Sequence, residues 1–479
     1  MNYGFIIGSV QQSLIYHILA VIAGWFSRQW QRSPIIGWFL RQPGREDRSR
    51  ESIFYRLFCL LHRLLNKLCC FLHLDRITEH SVFRKPVLWA GLALAAAPAA
   101  PTMGVLALVL VTVCSLALTF GCDGERKLVF FPVNKYVYCF AFVYLVSAFT
   151  SVTPAASLKV SAMFCAFSLF FILLTNSVTT YKQLKVLSGI LVFAGVAVAL
   201  YGILQFLNPS GLRIGAWVDE DMFSIGFRVY STLENPNVLG EYFLLVIPLC
   251  VGFLFSAKTW FQRIIWAGCF GIMMLCMVLT YSRGCWLGIC LAAAIFMVMY
   301  DRRFILVGVA VLIAAPFVLP DSIMARLTSI GNMSDSSTSY RVSIWMGSIA
   351  MLREFWFCGV GPGQAAFNKL YGTYAYGAAS ASHAHNLFLQ IMADTGICGL
   401  VLIVVIVFSA VRTLATAVQN ETCRENRMFQ TAGIAALAGF MVQSMFDYTF
   451  YNYRVMFMFW GFLGIYLLFT KLHREEAGA

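Results

Sequence analysis

His383 and His385 stand one residue apart in "SASHAHNLFLQIMADTGICG", residues 380–399. Imidazole titrates near neutrality, binds metals and moves protons. Three roles are therefore open to the pair: metal ligation, a structural bond to a backbone carbonyl, and proton transfer. A metal site needs three or four ligands, and no nearby Cys or Glu completes a set. Proton transfer is favoured, because imidazole can take a proton from an attacking hydroxyl. Asn386 can cap the following helix or orient the ring. Counted at 100° per residue, Gly396 and Gly399 fall within about 40° of the His385 direction. His385 is thus expected to top a helix face that carries two glycines, where a neighbouring helix packs closely.

Arginine is the second chemical signal. "LTYSRGCWLGIC" sets Arg283 between two apolar runs without room for a loop. Such a residue sits at the edge of a bilayer and faces protein or water, and it is a functional candidate by default. Arg228 and Arg341 lie in the two longer polar stretches. A guanidinium offers a planar fork of donors to phosphate oxygens and stays charged when desolvated. Arginines gathered near a membrane surface suit an anionic lipid head such as a diphosphate. The competing role is an interfacial anchor that snorkels to water, and Arg326 and Arg353 are read that way. The remaining sparse charges, among them Asp394, Asp447 and Arg454, receive no role from the sequence.

The elements that must hold these residues are membrane spans. The chain has 479 residues, 60% of them hydrophobic and 12% charged, with a mean hydropathy of +0.75. Soluble domains carry about 25% charged residues, so this composition belongs to an integral membrane protein. The 15 cysteines fall mostly in apolar runs and form neither a disulfide framework nor a zinc pattern. Apolar stretches of about 17–25 residues lie near 86–100, 102–120, 135–151, 156–178, 184–206, 241–257, 263–281, 284–300, 303–320, 386–410, 429–447 and 453–471. The expected fold is an all-α membrane protein with about twelve transmembrane helices and a large extracytoplasmic loop between the ninth and tenth.

Most of the 35 lysines and arginines fall on one side if residues 1–85 are cytoplasmic, which is the preference of basic residues. Both termini are then cytoplasmic. The larger outside segments are 207–240 and 320–385, and the second ends at the histidines. The expected organisation is a basic surface segment at 1–85, a polytopic domain at 86–471 and a tail at 472–479. Within 1–85, "ESIFYRLFCLLHRLLNKLCCFLHLDR" alternates Arg56, Arg63 and Lys67 with Leu57, Leu61, Leu64 and Leu68 at helical spacing. That suits a helix lying on anionic membrane lipids. "GSVQQSLIYHILAVIAGWFSRQW" is a second such stretch, neither span nor signal peptide. Nothing points to nucleic acid.

Several motifs carry a family resemblance. "HNLFLQIMADTGICG" reads His-Asn, nine residues, Gly, two residues, Gly; "SRGCWL" reads Arg283, three residues, Leu287. "RVYSTLENPNVLGEY", "RVSIWMGSIAML" and "GVGPGQ" occur in the matching order. From about 86 to 470 the chain resembles the O-antigen ligase and polymerase superfamily. The resemblance implies a metal-independent glycosyltransferase without a cofactor, in the cytoplasmic membrane. It would take a glycan from a polyprenyl-diphosphate carrier at the outer face and pass it to a glycan, lipid or protein hydroxyl, with inversion. His385 and Arg283 would be the catalytic residues. Arg341, Arg228, His383 and Asn386 would contact substrate. Residues 1–85 depart from the family pattern, which starts close to the first span. Alternatives are a protein O-oligosaccharyltransferase, a secondary transporter of a small anion, and a scaffold for polysaccharide export. Transport is disfavoured because no inner span shows a clear mid-membrane acid and no internal repeat is found.

Overall fold

A computed structural model describes residues 53–74, 80–123, 128–209, 227–301, 308, 310, 313–314, 317, 320–329 and 336–472. The chain divides into two units, Met1–His62 and Arg63–Ala479. Among the described residues every regular element is helical. The expected surface stretch near the N-terminus, the ninth span at 303–320 for the most part, and the tail lie outside the described residues. So do residues 210–226 and 330–335 of the two longer polar segments.

The helices are α1 Ile53–Phe71, α2 Pro86–Ala96, α3 Thr102–Cys122, α4 Asn134–Phe149, α5 Pro154–Ser177 and α6 Tyr181–Leu207. They continue with α7 Pro236–Ser256, α8 Trp260–Leu279, α9 Arg283–Tyr300, α10 Asp321–Thr328, α11 Ser336–Phe355 and α12 Gln364–Tyr374. The last three are α13 Leu387–Asn420, α14 Arg424–Phe446 and α15 Tyr453–Leu468. Eight of them are long and apolar enough to cross a membrane: α3, α5, α6, α7, α8, α9, α13 and α14. That is fewer than the expected twelve: α2, α4 and α15 run only 11, 16 and 16 residues, and the expected span at 303–320 lies mostly outside the described residues. Helix α15 is short yet buried at every position from Val455 to Leu468. A helix that is apolar all round is stable only when covered on all sides.

Helix α1 covers the stretch read as a basic amphipathic helix. Arg63 and Lys67 are exposed, and so are Leu64, Leu68 and Phe71. Two longer segments that read as loops are partly helical. Between α9 and α13, helices α11 and α12 close on a small core of their own around Ile344, Met351, Phe367 and Tyr371, with Ala384 and Ala393.

Helix α14 packs against α7, α9 and α13, and glycines set how closely. A Cβ on Gly288 would come within 2.5 Å of the Gly439 carbonyl, and one on Gly439 within 2.6 Å of the Gly288 carbonyl. Backbones touching at one level bring the start of α9, with Arg283, beside the end of α14, just before Asp447. The start of α7 joins them where Asn237 reaches Asp447.

Helix α13 is not continuous. Gly396 has φ 70 and ψ −165 inside it, a region only glycine enters without strain. The break frees an acceptor at Ala393 and a donor at Ile397, and both are satisfied by the chain between α11 and α12. Val360 N donates to the Ala393 carbonyl at 2.7 Å, and Ile397 N donates to the Trp356 carbonyl at 2.9 Å. The glycine therefore admits a loop, not the neighbouring helix expected from the sequence. A Cβ at Gly396 would fall 1.9 Å from the Phe357 carbonyl oxygen; one at Gly399 would meet the Thr395 side chain, its Cβ at 2.8 Å, but Gly399 does not have the left-handed backbone of Gly396. Gly396→Ala should lower the thermal midpoint in detergent clearly, with on the order of 1–3 kcal/mol lost from backbone conformation alone. Gly399→Ala should cost less, since it adds a side-chain clash without the left-handed backbone strain that Gly396 relieves. Equal midpoints for the two variants would refute this account of the break.

Candidate functional site

His385 does not begin a helix. It lies before the N-cap, with φ 44, a left-handed conformation that side chains rarely adopt. The count of 100° per residue from His385 to the glycines fails for two reasons: His385 precedes the helix, and Gly396 breaks it. Asn386 is the N-cap, its Oδ1 accepting from Phe388 N at 2.9 Å and Leu389 N at 3.0 Å. Its amide donates to the Met445 carbonyl at 2.8 Å. Asn386 thus anchors the turn and ties it to the end of α14.

Three bonds hold the strained turn. Ala384 N donates to Gln390 Oε1 at 2.8 Å, His385 N to His383 Nδ1 at 3.3 Å, and Trp345 Nε1 to the His385 carbonyl at 3.2 Å. Gln390 is itself gripped by Asp394 at 2.8 Å. A conformation that costs free energy persists where its surroundings over-determine it.

The turn aims the His385 ring at Asp447. Nδ1 lies 3.2 Å from Asp447 Oδ1. Burial works against the carboxylate, but the hydrogen bond from His385 and the charge of Arg341 hold its pKa below the ordinary value. An ionised carboxylate can only accept, so Nδ1 carries the proton and Nε2 presents a lone pair. Asp447 Oδ2 receives Asn237 Nδ2 at 3.0 Å and lies 3.8 Å from the Arg341 guanidinium.

His383 differs in environment. Burial first, and then the neighbouring His385, push its pKa from 6.5 down to about 4. It is neutral at physiological pH. Because Nδ1 accepts from His385 N, the ring proton sits on Nε2, and this nitrogen is a donor.

The arginines converge. Arg228 is buried, donating through Nε to the Thr280 carbonyl at 2.9 Å and through Nη2 to Asn237 Oδ1 at 3.1 Å. Burial, and then the guanidinium groups of Arg326, Arg341 and Arg283, lower its pKa from 12.5 to about 9. Arg283 is the first residue of α9, and its Nη1 meets Ser329 Oγ at 2.9 Å and the Ser329 carbonyl at 3.2 Å. Arg326 corrects the sequence reading. It is 7% exposed and reaches the Tyr281 carbonyl at 3.4 Å, so it is no surface anchor. Arg228 thus lies close enough to three other guanidinium groups to feel their charge, and a polyanion can accept charge-assisted bonds from such a group.

All six residues singled out from sequence lie at one end of the bundle. His383, His385 and Asn386 share the turn, and Arg228 and Arg341 reach it through Asn237 and Asp447. Arg283 joins through the arginine group. The sequence left Asp447, Asn237 and Trp345 without roles. Asp447 carried one usable signal, a lone acid at the lip of a span. It also revises the metal argument, since His383, His385 and Asp447 bring ligand atoms within 4.8 Å of one another. Against a cation there, Nδ1 of each histidine is already engaged, and Arg341 stands beside the carboxylate. The sequence also missed buried acids in spans: Glu241 in α7, bonded to Gln443 at 3.1 Å, and Asp394 in α13.

Residues 268–404 match the O-antigen ligase family. The segment includes Arg283, Arg341 and the two histidines; Arg228, Asn237 and Asp447 lie outside it. No curated protein matches the chain.

Proposed function

Proceeding from a segment similar to O-antigen ligases, which supports the O-antigen ligase superfamily and a glycosyltransferase-like activity in a multi-pass membrane protein, we propose a specific reaction. The protein moves a glycan from a polyprenyl-diphosphate carrier to a hydroxyl acceptor at the outer face of the cytoplasmic membrane. The observation that carries this reading is the His385–Asp447 contact beside the converging arginines. His385 Nε2 takes the acceptor proton, and Asp447 stabilises the imidazolium that forms. The acceptor oxygen bonds to the anomeric carbon as the bond from that carbon to the diphosphate oxygen breaks. The departing diphosphate is received by Arg283, Arg228 and Arg341, charge stabilisation that needs no reorganisation in a partly dry site. A single displacement inverts the anomeric configuration. Asn386 and His383 hold the turn and the acceptor side. Helix α1 rests on anionic lipid.

The test is reconstituted protein given polyprenyl-diphosphate glycan and candidate acceptors: core glycans, growing chains of the same glycan, and Ser/Thr peptides. Transfer with inverted product configuration is expected, and it should persist in excess chelator. Loss with chelator and recovery with one divalent ion would assign His383, His385 and Asp447 to a metal site instead. No transfer to any acceptor would refute the reading.

A further inference from the structure

A cavity of about 520 Å³ opens against His383. The contacts run in a chain. Arg228 meets Asn237, Asn237 meets Asp447, and Asp447 meets His385. The His385 and His383 rings lie 4.1 Å apart, and His383 in turn faces Tyr451 at 4.6 Å and Tyr448 at 5.6 Å. The cavity meets this chain of contacts at His383 and Arg228 meets it at Asn237, with Arg341 beside Asp447 between them.

Its chemistry differs from that of the arginine end. Tyr448, Tyr451 and Tyr453 line it, and Tyr451 is 53% exposed, its ring available as a platform. The charged residues on its wall are Glu234 and Arg454, 3.9 Å apart, which offset each other. Asn452 and Gln364 add neutral polar groups. The volume falls in the range of about 300–1,000 Å³ typical of small-molecule sites. Aromatic faces with neutral polar groups and no net charge suit a polyhydroxyl ligand: rings cover the C–H face of a sugar, and amides bond its hydroxyls. The guanidinium on this wall, Arg454, faces Glu234 and the Thr232 carbonyl, so a diphosphate would meet an acid beside the cation.

We propose that this cavity is the subsite for a saccharide acceptor, with the accepting sugar laid on Tyr451 and bonded by His383 Nε2–H. The assignment rests on the transferase reading above. In-line displacement puts the attacking oxygen opposite the leaving group, so an acceptor at the His383 end complements a diphosphate at the arginine end. His385, between the two, is within reach of the hydroxyl that loses its proton.

The experiment uses the full chain in nanodiscs without donor. Short neutral oligosaccharides ending in glucose, galactose or N-acetylglucosamine are titrated singly and followed by ligand-observed NMR. At least one should bind. Tyr451→Ala and Gln364→Trp, which remove the platform and crowd the mouth, should each weaken it by about tenfold or more. Tyr451→Phe should keep affinity within about threefold. With donor present, the same two variants should raise the acceptor KM in parallel and move the donor KM by less than about twofold. Binding indifferent to all three substitutions overturns the assignment, and so does binding by no saccharide. Binding of a Ser/Thr peptide in place of every saccharide, lost in the same variants, also overturns it and gives the cavity to a protein acceptor. Saccharide binding that follows the variants, in a protein that transfers nothing from the donor, upholds the sugar site and refutes the transferase reading alone.

Discussion

His385→Ala is expected to reduce glycan transfer by at least the roughly 10²-fold that loss of a general base costs. Its Nδ1 is committed to Asp447 at 3.2 Å, so Nε2 is the atom that can receive a proton. Asp447→Asn should cost a similar factor, about 10²-fold or more. The amide is neutral, cannot stabilise an imidazolium, and can donate to Nδ1 and so invert the tautomer. His383→Ala should cost less, about tenfold or below, because its ring is held neutral with the proton on Nε2 and works through binding and through the bond to His385 N. All three are compared in single-turnover transfer with saturating donor, with membrane insertion checked by yield and gel filtration. A dead His383→Ala beside an active His385→Ala would reassign the base. Near wild-type transfer in all three would remove general-base catalysis from this turn.

Arg283→Ala is expected to lower transfer by about 10²–10³-fold, the scale of removing one preorganised donor from a developing charge. The guanidinium is set at the first turn of α9 and steadied by Ser329, so it is placed before substrate arrives. Arg283→Lys should recover little. An ammonium keeps the charge, but it loses the planar fork that can hold Ser329 and a phosphate oxygen at once. The measurement is release of polyprenyl diphosphate together with donor KM. Full activity in the Lys variant would mean that only point charge is needed. Full activity in the Ala variant would take Arg283 out of the mechanism.

Local properties of the chain determined much of this protein. Hydropathy alone separates bilayer from water, so the membrane class and most helix positions follow from composition within a window of about 20 residues. Asn386 before an apolar run is a cap because its side chain reaches backbone donors two and three residues on. The amphipathic pattern of α1 is likewise contained within its own turns. Histidine and arginine stand out in such a chain because each charged group there is expensive.

Tertiary structure decided what depends on distant neighbours. Asp447 is partnered with His385 across 62 residues, because packing of α13 on α14 and the cap contact of Asn386 with Met445 bring the two together. Arg326 reads as a surface anchor until the Tyr281 carbonyl and the other guanidinium groups surround it. Gly396 reads as a helix-packing residue, but its φ and the loop carbonyl pressed against it are set by the chain between α11 and α12. The left-handed backbone of His385 has no signature in residue type. It exists because Gln390, His383 and Trp345 each bind one backbone group of that turn, and Trp345 reaches it from a separate helix. Periodicity reports what a residue shares with its own turn of helix. The direction of a side chain in a strained turn is set by contacts that only folding brings within hydrogen-bond distance.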